Sequence, residues 1–273
     1  AVVAALEPRA EPGVVFRTDL RLRPFGDAGP LVTSVEALGA YYRDHGRPWE
    51  RFALVRARPV AGLRRDRRRL LELLRDFVYR DYVDFGAVAG LRELRARMAH
   101  DVRRRRLDDD VKLGPGGIRE AEFTVQLGQI VHAARHPQVR VTGFREALEA
   151  LARAGVLRGE TVRDLGEGDA FLRRFEHVLQ AVRDEQTQQL PRTETGWLRV
   201  ALALGFPGAE PVKSALDQVR QTVRFHFDRI LQPEGAPRAP AAWEALWSEP
   251  LPELTGAPAE ALRAFADPEA VRS

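Results

Sequence analysis

The sequence has no cysteine in its 273 residues. That excludes disulfides, thiol nucleophiles and cysteine-held metals, and it fits a reducing compartment. Also missing is any stretch near the roughly 18 consecutive apolar residues that a membrane helix needs. The opening stretch 1–13 contains no basic start followed by an apolar run. The expectation is a cytoplasmic protein with no membrane association and no cleaved targeting signal. Lysine is scarce, occurring only at Lys112 and Lys213. The 43 basic residues are otherwise arginine and face 39 acidic ones, for a net charge of +4. The pI of about 9.9 therefore owes more to arginine's high pKa than to an unbalanced surface, and nucleic acid is not an expected partner. None of the few serines lies in a Gly-x-Ser-x-Gly context, and no Gly-Lys-Ser/Thr loop or dinucleotide fingerprint occurs, so neither an acyl-transfer nucleophile nor a P-loop is indicated. No internal repeat is present.

What the chain does contain is 44% hydrophobic residues, enough to bury a sizeable core. Over 14–23, Phe16, Leu20 and Leu22 alternate with Arg17, Asp19, Arg21 and Arg23, the period of a half-buried strand that Pro24 ends. A loop is expected over 25–30. Ser34 then caps a helix running towards His45, and 48–58 reads as a helix with Pro48 in its first position and Pro59 as its stop, with a short strand as the alternative. Beyond Gly62 the pattern is helical. Leu70, Leu71, Leu74, Phe77 and Val78 form one stripe, and Val88, Leu91, Leu94, Met98 and Val102 another. A glycine loop at 114–117 precedes a helix from about Ile118. Further helices are expected around 144–154, 160–184, 195–204 and 211–231. Prolines at 233, 237, 240, 250, 252, 258 and 268 mark the remainder as a linker carrying one or two short helical pieces.

Two patterns suit phosphate chemistry. The first is the alternating segment, where Asp19 lies between arginines on one strand face. A carboxylate holds Mg²⁺ and guanidinium groups fork onto phosphate oxygens, although a solvated Asp–Arg ladder produces the same spacing. The second is KLGPGGIRE, 112–120, a glycine loop opening onto a helix, where free backbone N–H groups and the helix dipole receive anions in other proteins. An ordinary turn is the competing reading. Glu120 and Glu122, two residues apart, do not share a helix face. Asp108, Asp109 and Asp110 read as a solvated turn. His132 and His136 have a zinc-like spacing but no third ligand. The arginine clusters at 64–69 and 103–106 are either solvated helix faces or anion contacts.

Taken in order, FRTDLRLRP (16–24), GPLVTS (29–34), GRPWERFALVRAR (46–58) and KLGPGGIREAEF (112–123) resemble the glutamine synthetase adenylyltransferase family. FLRRFEHVLQAVRDEQTQQLP (171–191) resembles its helical region. The resemblance implies a mainly α (α+β) protein: the C-terminal part of a nucleotidyltransferase-like domain over 1–63, retaining one or two strands, a helical bundle over 64–232, and a Pro-rich linker or the start of a next region over 233–273. Members are bifunctional, and GRPWER and GGIRE look more like the adenylyl-removing half than the adenylyl-adding half. The implied reaction is phosphorolysis, in which inorganic phosphate takes AMP from a tyrosine of glutamine synthetase as ADP. Asp19 matches the third carboxylate of the family's Mg²⁺ site. Arg21 and Arg23 match the arginines that follow it, and Lys112, Gly116, Gly117 and Arg119 are candidates for phosphate or nucleotide binding. The family's Gly-Ser-Asp-x-Asp element is absent from this sequence, so the chain alone is expected to bind metal poorly and to turn over little. Implied partners are glutamine synthetase, a PII-type signalling protein, ATP or ADP, and phosphate. Two alternatives stand beside this reading: a non-catalytic helical module that docks glutamine synthetase or a PII-type protein, and an arginine-rich nucleic-acid binder.

Overall fold

The computed structural model describes residues 18–79, 85–183 and 185–230, with the side chains of 85–94 and 183 outside that description. All of these belong to one compact unit, Ala1–Leu231. The proline-rich stretch 233–273 and the first part of the expected strand, 14–17, lie outside the described residues.

Nine α-helices account for most of what is described: α1 (Val35–Asp44), α2 (Pro48–Leu54), α3 (Arg64–Val78), α4 (Phe85–Arg105), α5 (Ile118–His132), α6 (Phe144–Arg153), α7 (Gly159–Arg183), α8 (Glu194–Leu204) and α9 (Ala209–Arg229). The mainly α class is as the sequence implies. Starts follow local chemistry. Ser34 caps α1 by accepting from the Ala37 N–H at 3.1 Å, and Thr193 caps α8 through Gly196 at 3.2 Å. Pro48 opens α2, where Glu50 reaches back to the Arg47 N–H at 2.7 Å. That helix stops at Leu54, earlier than Pro59 alone would require. α8 ends where Gly205 takes φ 80°, a conformation that a side chain resists.

The expected strand over 14–23 does not form in its described part. Residues 18–20 have no regular structure, and the chain then turns, with Arg23 N–H donating to Leu20 O and Gly26 N–H to Arg23 O. A strand needs a partner for its backbone donors and acceptors. Among the described residues there is no sheet, only an isolated bridge between Asp110 and Gln189, so the segment closes its hydrogen bonds locally. Leu20, Leu22, Phe25, Leu31 and Val32 are left exposed, Val32 at 86%.

Two apolar clusters hold the unit together. The larger gathers Ile118, Ala121 and Val125 of α5 with Leu148 and Leu151 of α6, Leu165, Leu172 and Phe175 of α7, Val200 of α8 and Val212, Leu216 and Val223 of α9. The smaller joins Tyr42, Phe52, Leu74, Phe77 and Val78 to Met98, to Phe123, Leu127 and Ile130 of α5, and to Phe227 of α9. In the Leu70 to Val78 stripe, the last three residues are the buried ones. Of the other stripe, Met98 is buried and Val102 half-buried, while Val88, Leu91 and Leu94 fall outside the described side chains. α5 serves both clusters with opposite faces. For that reason ten of its 15 residues are buried, Glu120, Thr124 and Gln129 among them, and it reads weakly as an amphipathic helix. No helix among the described residues is long and apolar enough to cross a membrane.

Candidate functional site

Asp19 sits in the turn before α1. Arg21 approaches its carboxylate with Nε at 3.0 Å from both oxygens and Nη2 at 2.6 Å, and the Arg21 N–H donates to Oδ1 at 3.0 Å. Both side chains are well exposed, so solvent screens the pair and it adds little to stability. Arg23 turns the other way, donating to the carbonyls of Leu20, Asp27 and Gly29 at 3.0 to 3.3 Å. A turn thus brings Asp19 and Arg21 together and commits Arg23 to its own loop. Phe25 fastens this loop to α1, its ring 4.8 Å from Tyr41 and 5.5 Å from His45. As a Mg²⁺ site the arrangement falls short. One carboxylate facing a guanidinium supplies too few oxygen donors, and among the described residues no three His, Asp or Glu side chains gather to hold a metal ion.

Lys112, Gly116, Gly117 and Arg119 lie at the start of α5, in a loop tied down by its own atoms. Asp110 Oδ1 accepts from the Lys112 and Leu113 N–H groups at 2.9 and 2.7 Å. The N–H groups of Gly114, Gly117, Ile118 and Arg119 donate to Asp110, Gly114, Val111 and Lys112 carbonyls. The Gly116 N–H donates to Glu120 Oε2 at 2.8 Å. The backbone donors that would face an anion are therefore engaged within the loop. Gly116 has φ +67° and lies so close to α9 that a Cβ would come 2.1 Å from Arg220 O, which accounts for the glycine. Asp110 was expected in a solvated turn, but only 4% of it is exposed. Its other oxygen accepts from Gln189 Nε2 at 3.0 Å, and backbone bonds from Val111 to Gln188 and from Leu190 to Asp109 complete the join.

The two glutamates of α5 anchor different neighbours. Glu120 Oε1 receives Arg224 of α9 at 2.7 Å, and Arg224 also meets Asp228, itself bound by Arg95. Burial pushes the Glu120 carboxyl up, while the Gly116 N–H and the Arg224 guanidinium pull the other way. Glu122 pairs with both Arg56, from the end of the GRPWERFALVRAR segment, and Arg173 of α7. Arg173 continues to Asp169 at 3.3 Å and to Glu176 at 3.6 Å, and Lys112 reaches Glu176 at 3.4 Å. Burial raises the Asp169 carboxyl despite the Arg173 charge beside it. The chain Arg56, Glu122, Arg173, Glu176 and Lys112 thus joins three separate sequence motifs in one half-buried ionic cluster.

The comparisons with known proteins bear on the same segments. Residues 1–73 match the family model described as glutamate-ammonia ligase adenylyltransferase, and residues 92–231 match the model described as GlnD PII-uridylyltransferase. The bifunctional glutamine synthetase adenylyltransferase/adenylyl-removing enzyme of Thioalkalivibrio sulfidiphilus is 43% identical over 86% of this chain and 24% of its own length. That of Nitrosococcus oceani is 44% identical over 84% of the chain and 24% of its own. The Pseudomonas putida protein of the same name is 40% identical over 97% of the chain and 29% of its own. The chain belongs to the glutamine synthetase adenylyltransferase family.

It spans about a quarter of the length of these curated relatives. The family is one of nucleotidyltransferases. The join between the two model matches, 73 to 92, falls between the latter part of α3 and the first part of α4. Within this member of the adenylyltransferase family, the residues that sequence reasoning missed are Arg56, Arg173, Asp169, Glu176, Arg220 and Arg224. Arg220 donates to Pro115 O and Asp108 O at 2.8 Å, so it clamps the glycine loop from a distance of more than a hundred residues. Arg220 and Arg224 are one turn apart on α9, and nothing local distinguishes them from solvated arginines. For Glu122, its place in the recognised motif was the available signal.

Proposed function

We propose that this chain belongs to the adenylyl-removing half of its enzyme, in which inorganic phosphate attacks the AMP group on a tyrosine of glutamine synthetase, giving ADP and the free phenol. The observation that supports this reading is the wording of GRPWER and GGIRE, together with the ionic cluster that joins Arg56, Glu122 and Arg173. The reaction asks little of acids and bases. Phosphate is already anionic near pH 7, and a tyrosine with pKa about 10 is a tolerable leaving group once charge on the phosphoryl oxygens is neutralised. Positioning carries much of the rate. In this reading the bundle is the mount that holds the segment of Asp19, Arg21 and Arg23 through Phe25, Tyr41 and α2. Asp19 supplies one carboxylate of a Mg²⁺ site, and its companions are the Gly-Ser-Asp-x-Asp carboxylates that the family carries and this sequence does not. Lys112 and Arg119 are the remaining cationic candidates for phosphate or nucleotide. Glutamine synthetase, a PII-type regulator and ATP, ADP and phosphate are the corresponding partners, and the setting is cytoplasmic.

The test uses the longer enzyme carrying this segment. Asp19→Asn is expected to lower phosphate-dependent ADP release from adenylylated glutamine synthetase by at least about a hundredfold, removing charge stabilisation worth ~3 kcal/mol, while leaving ATP-dependent adenylylation within about twofold. The opposite split would assign the segment to the adding half. The 273 residues alone are expected to release no ADP. The match of 92–231 to a uridylyltransferase model favours a second role. The bundle would dock glutamine synthetase or a PII-type protein, and binding that survives Asp19→Ala would separate this role from catalysis.

A further inference from the structure

The arginine-rich start of α3 divides into two sets. Arg65 pairs with Asp66 at 3.4 Å, and Arg69 pairs with Glu36 of α1 at 2.6 Å. Arg64, Arg67, Arg68 and Arg75 instead line one groove with Pro59, Leu71 and Glu72. These four arginines are exposed, and none has a carboxylate at salt-bridge distance among the described residues. They fall at i, i+3, i+4 and i+11, one face of the helix, spanning about 16 Å at 1.5 Å per residue. Three of them crowd the first two turns, where the helix dipole favours acidic side chains and disfavours cations. A helix start that sets five arginines against the single Asp66 has a surface shaped for something other than its own stability.

We propose that this groove is a docking surface for a protein segment that carries both acidic and apolar side chains. The cationic row would receive carboxylates, which in an extended chain recur on one face about every 6.8 Å, close to the one-turn spacing of Arg64, Arg67 and Arg68. Pro59 and Leu71 give the groove an apolar floor, and Val60 and Leu63, 78% and 61% exposed, lie beside it in the chain. Glu72 interrupts the positive row before Arg75. An unbroken phosphate backbone would meet that carboxylate as repulsion and find no use for the apolar floor. A peptide places an apolar residue there and resumes its acidic contacts at Arg75.

The test titrates the 273-residue chain into a fluorescein-labelled 12-residue peptide of alternating Glu and Leu, and separately into a 12-nucleotide single-stranded DNA, at about 50 and 300 mM salt. Saturable peptide binding that weakens with salt is expected. The triple change Arg64→Ala, Arg67→Ala and Arg68→Ala should weaken it at least about tenfold, and Arg75→Ala alone about threefold, whereas Arg65→Ala with Arg69→Ala should change it less than about twofold. Circular dichroism of each variant reports the helix, which alanine supports. Absence of saturable binding, equal losses from the paired and unpaired arginines, or tighter binding of the DNA than of the peptide at the same salt would each overturn the proposal.

Discussion

The α5 to α9 cluster and the cluster around α1 to α3 are both apolar, yet they are closed by different means. In the first, Leu165, Leu172, Phe175, Val212 and Val223 are fully buried, and the rings of Phe171, Phe175, Trp197 and Phe206 meet tilted or edge-on. In the second, Tyr42, Phe52, Leu74 and Phe77 keep 5% to 8% exposure. Rings stack there, Phe52 on Phe123 at 4.6 Å and Tyr42 on Phe77 at 4.5 Å, and arginines lie over Phe77 and Phe227. The first is a packed interior. The second is a seam sealed by guanidinium groups, and that of Arg51 is itself buried, donating through Nε to the Phe77 carbonyl at 2.9 Å. A sealed seam tolerates local adjustment better than a packed interior does, and the ionic cluster at Glu122 lies across it.

Leucine truncation puts that contrast to its largest test. Leu172→Ala should cost about 3–5 kcal/mol, because a site enclosed on all sides cannot collapse, and Leu74→Ala about 2 kcal/mol. Urea unfolding of both variants measures this, and equal costs would break the distinction. The two glutamates of α5 sharpen it. Glu120→Ala strands the Gly116 N–H and one contact of Arg224 in a nearly buried place and should cost about 2–3 kcal/mol. Glu122→Ala opens only the seam and should cost under about 1 kcal/mol. If Glu122→Ala proved the costlier, the ionic cluster would be holding the unit together.

The smallest effect is a dependence on pH. Glu120 and Asp169 both have carboxyls raised above their ordinary values by burial. Such a group binds its proton more tightly in the folded chain than in the unfolded one, so its contribution to stability is full below the unfolded value, about 4. That contribution is lost as pH rises through the raised folded value. Glu120→Gln and Asp169→Asn together should flatten this part of the unfolding free energy against pH above about 4, measured by urea titration. An unchanged slope would show that neither group titrates differently on folding.

Helices were legible because each carries its own signals: Ser34 before α1, Pro48 in α2 and a glycine loop before Ile118. The stripe of α3 pointed to the buried Leu74, Phe77 and Val78. The segment 18–23 was misread because alternation reports only which side chains share a face of a strand, and a strand exists only where another strand pairs with it. The same limit hid the bridge of Asp110 to Gln189 and the clamp of Arg220, since no local spacing says which residue a hundred positions away will arrive. Asp110 did carry one usable sign. An aspartate two and three residues before free N–H groups forms a side-chain turn, and reading Lys112 and Leu113 that way would have separated it from Asp108 and Asp109.

Arg220 also sets an order of events. The carbonyls it grips belong to residues 105 to 112 positions earlier in the chain. A ribosome adding about 5–20 residues per second needs roughly 5–20 s to reach it. During that interval the nascent glycine loop has emerged without its clamp, so this motif is secured only after α9 has been made.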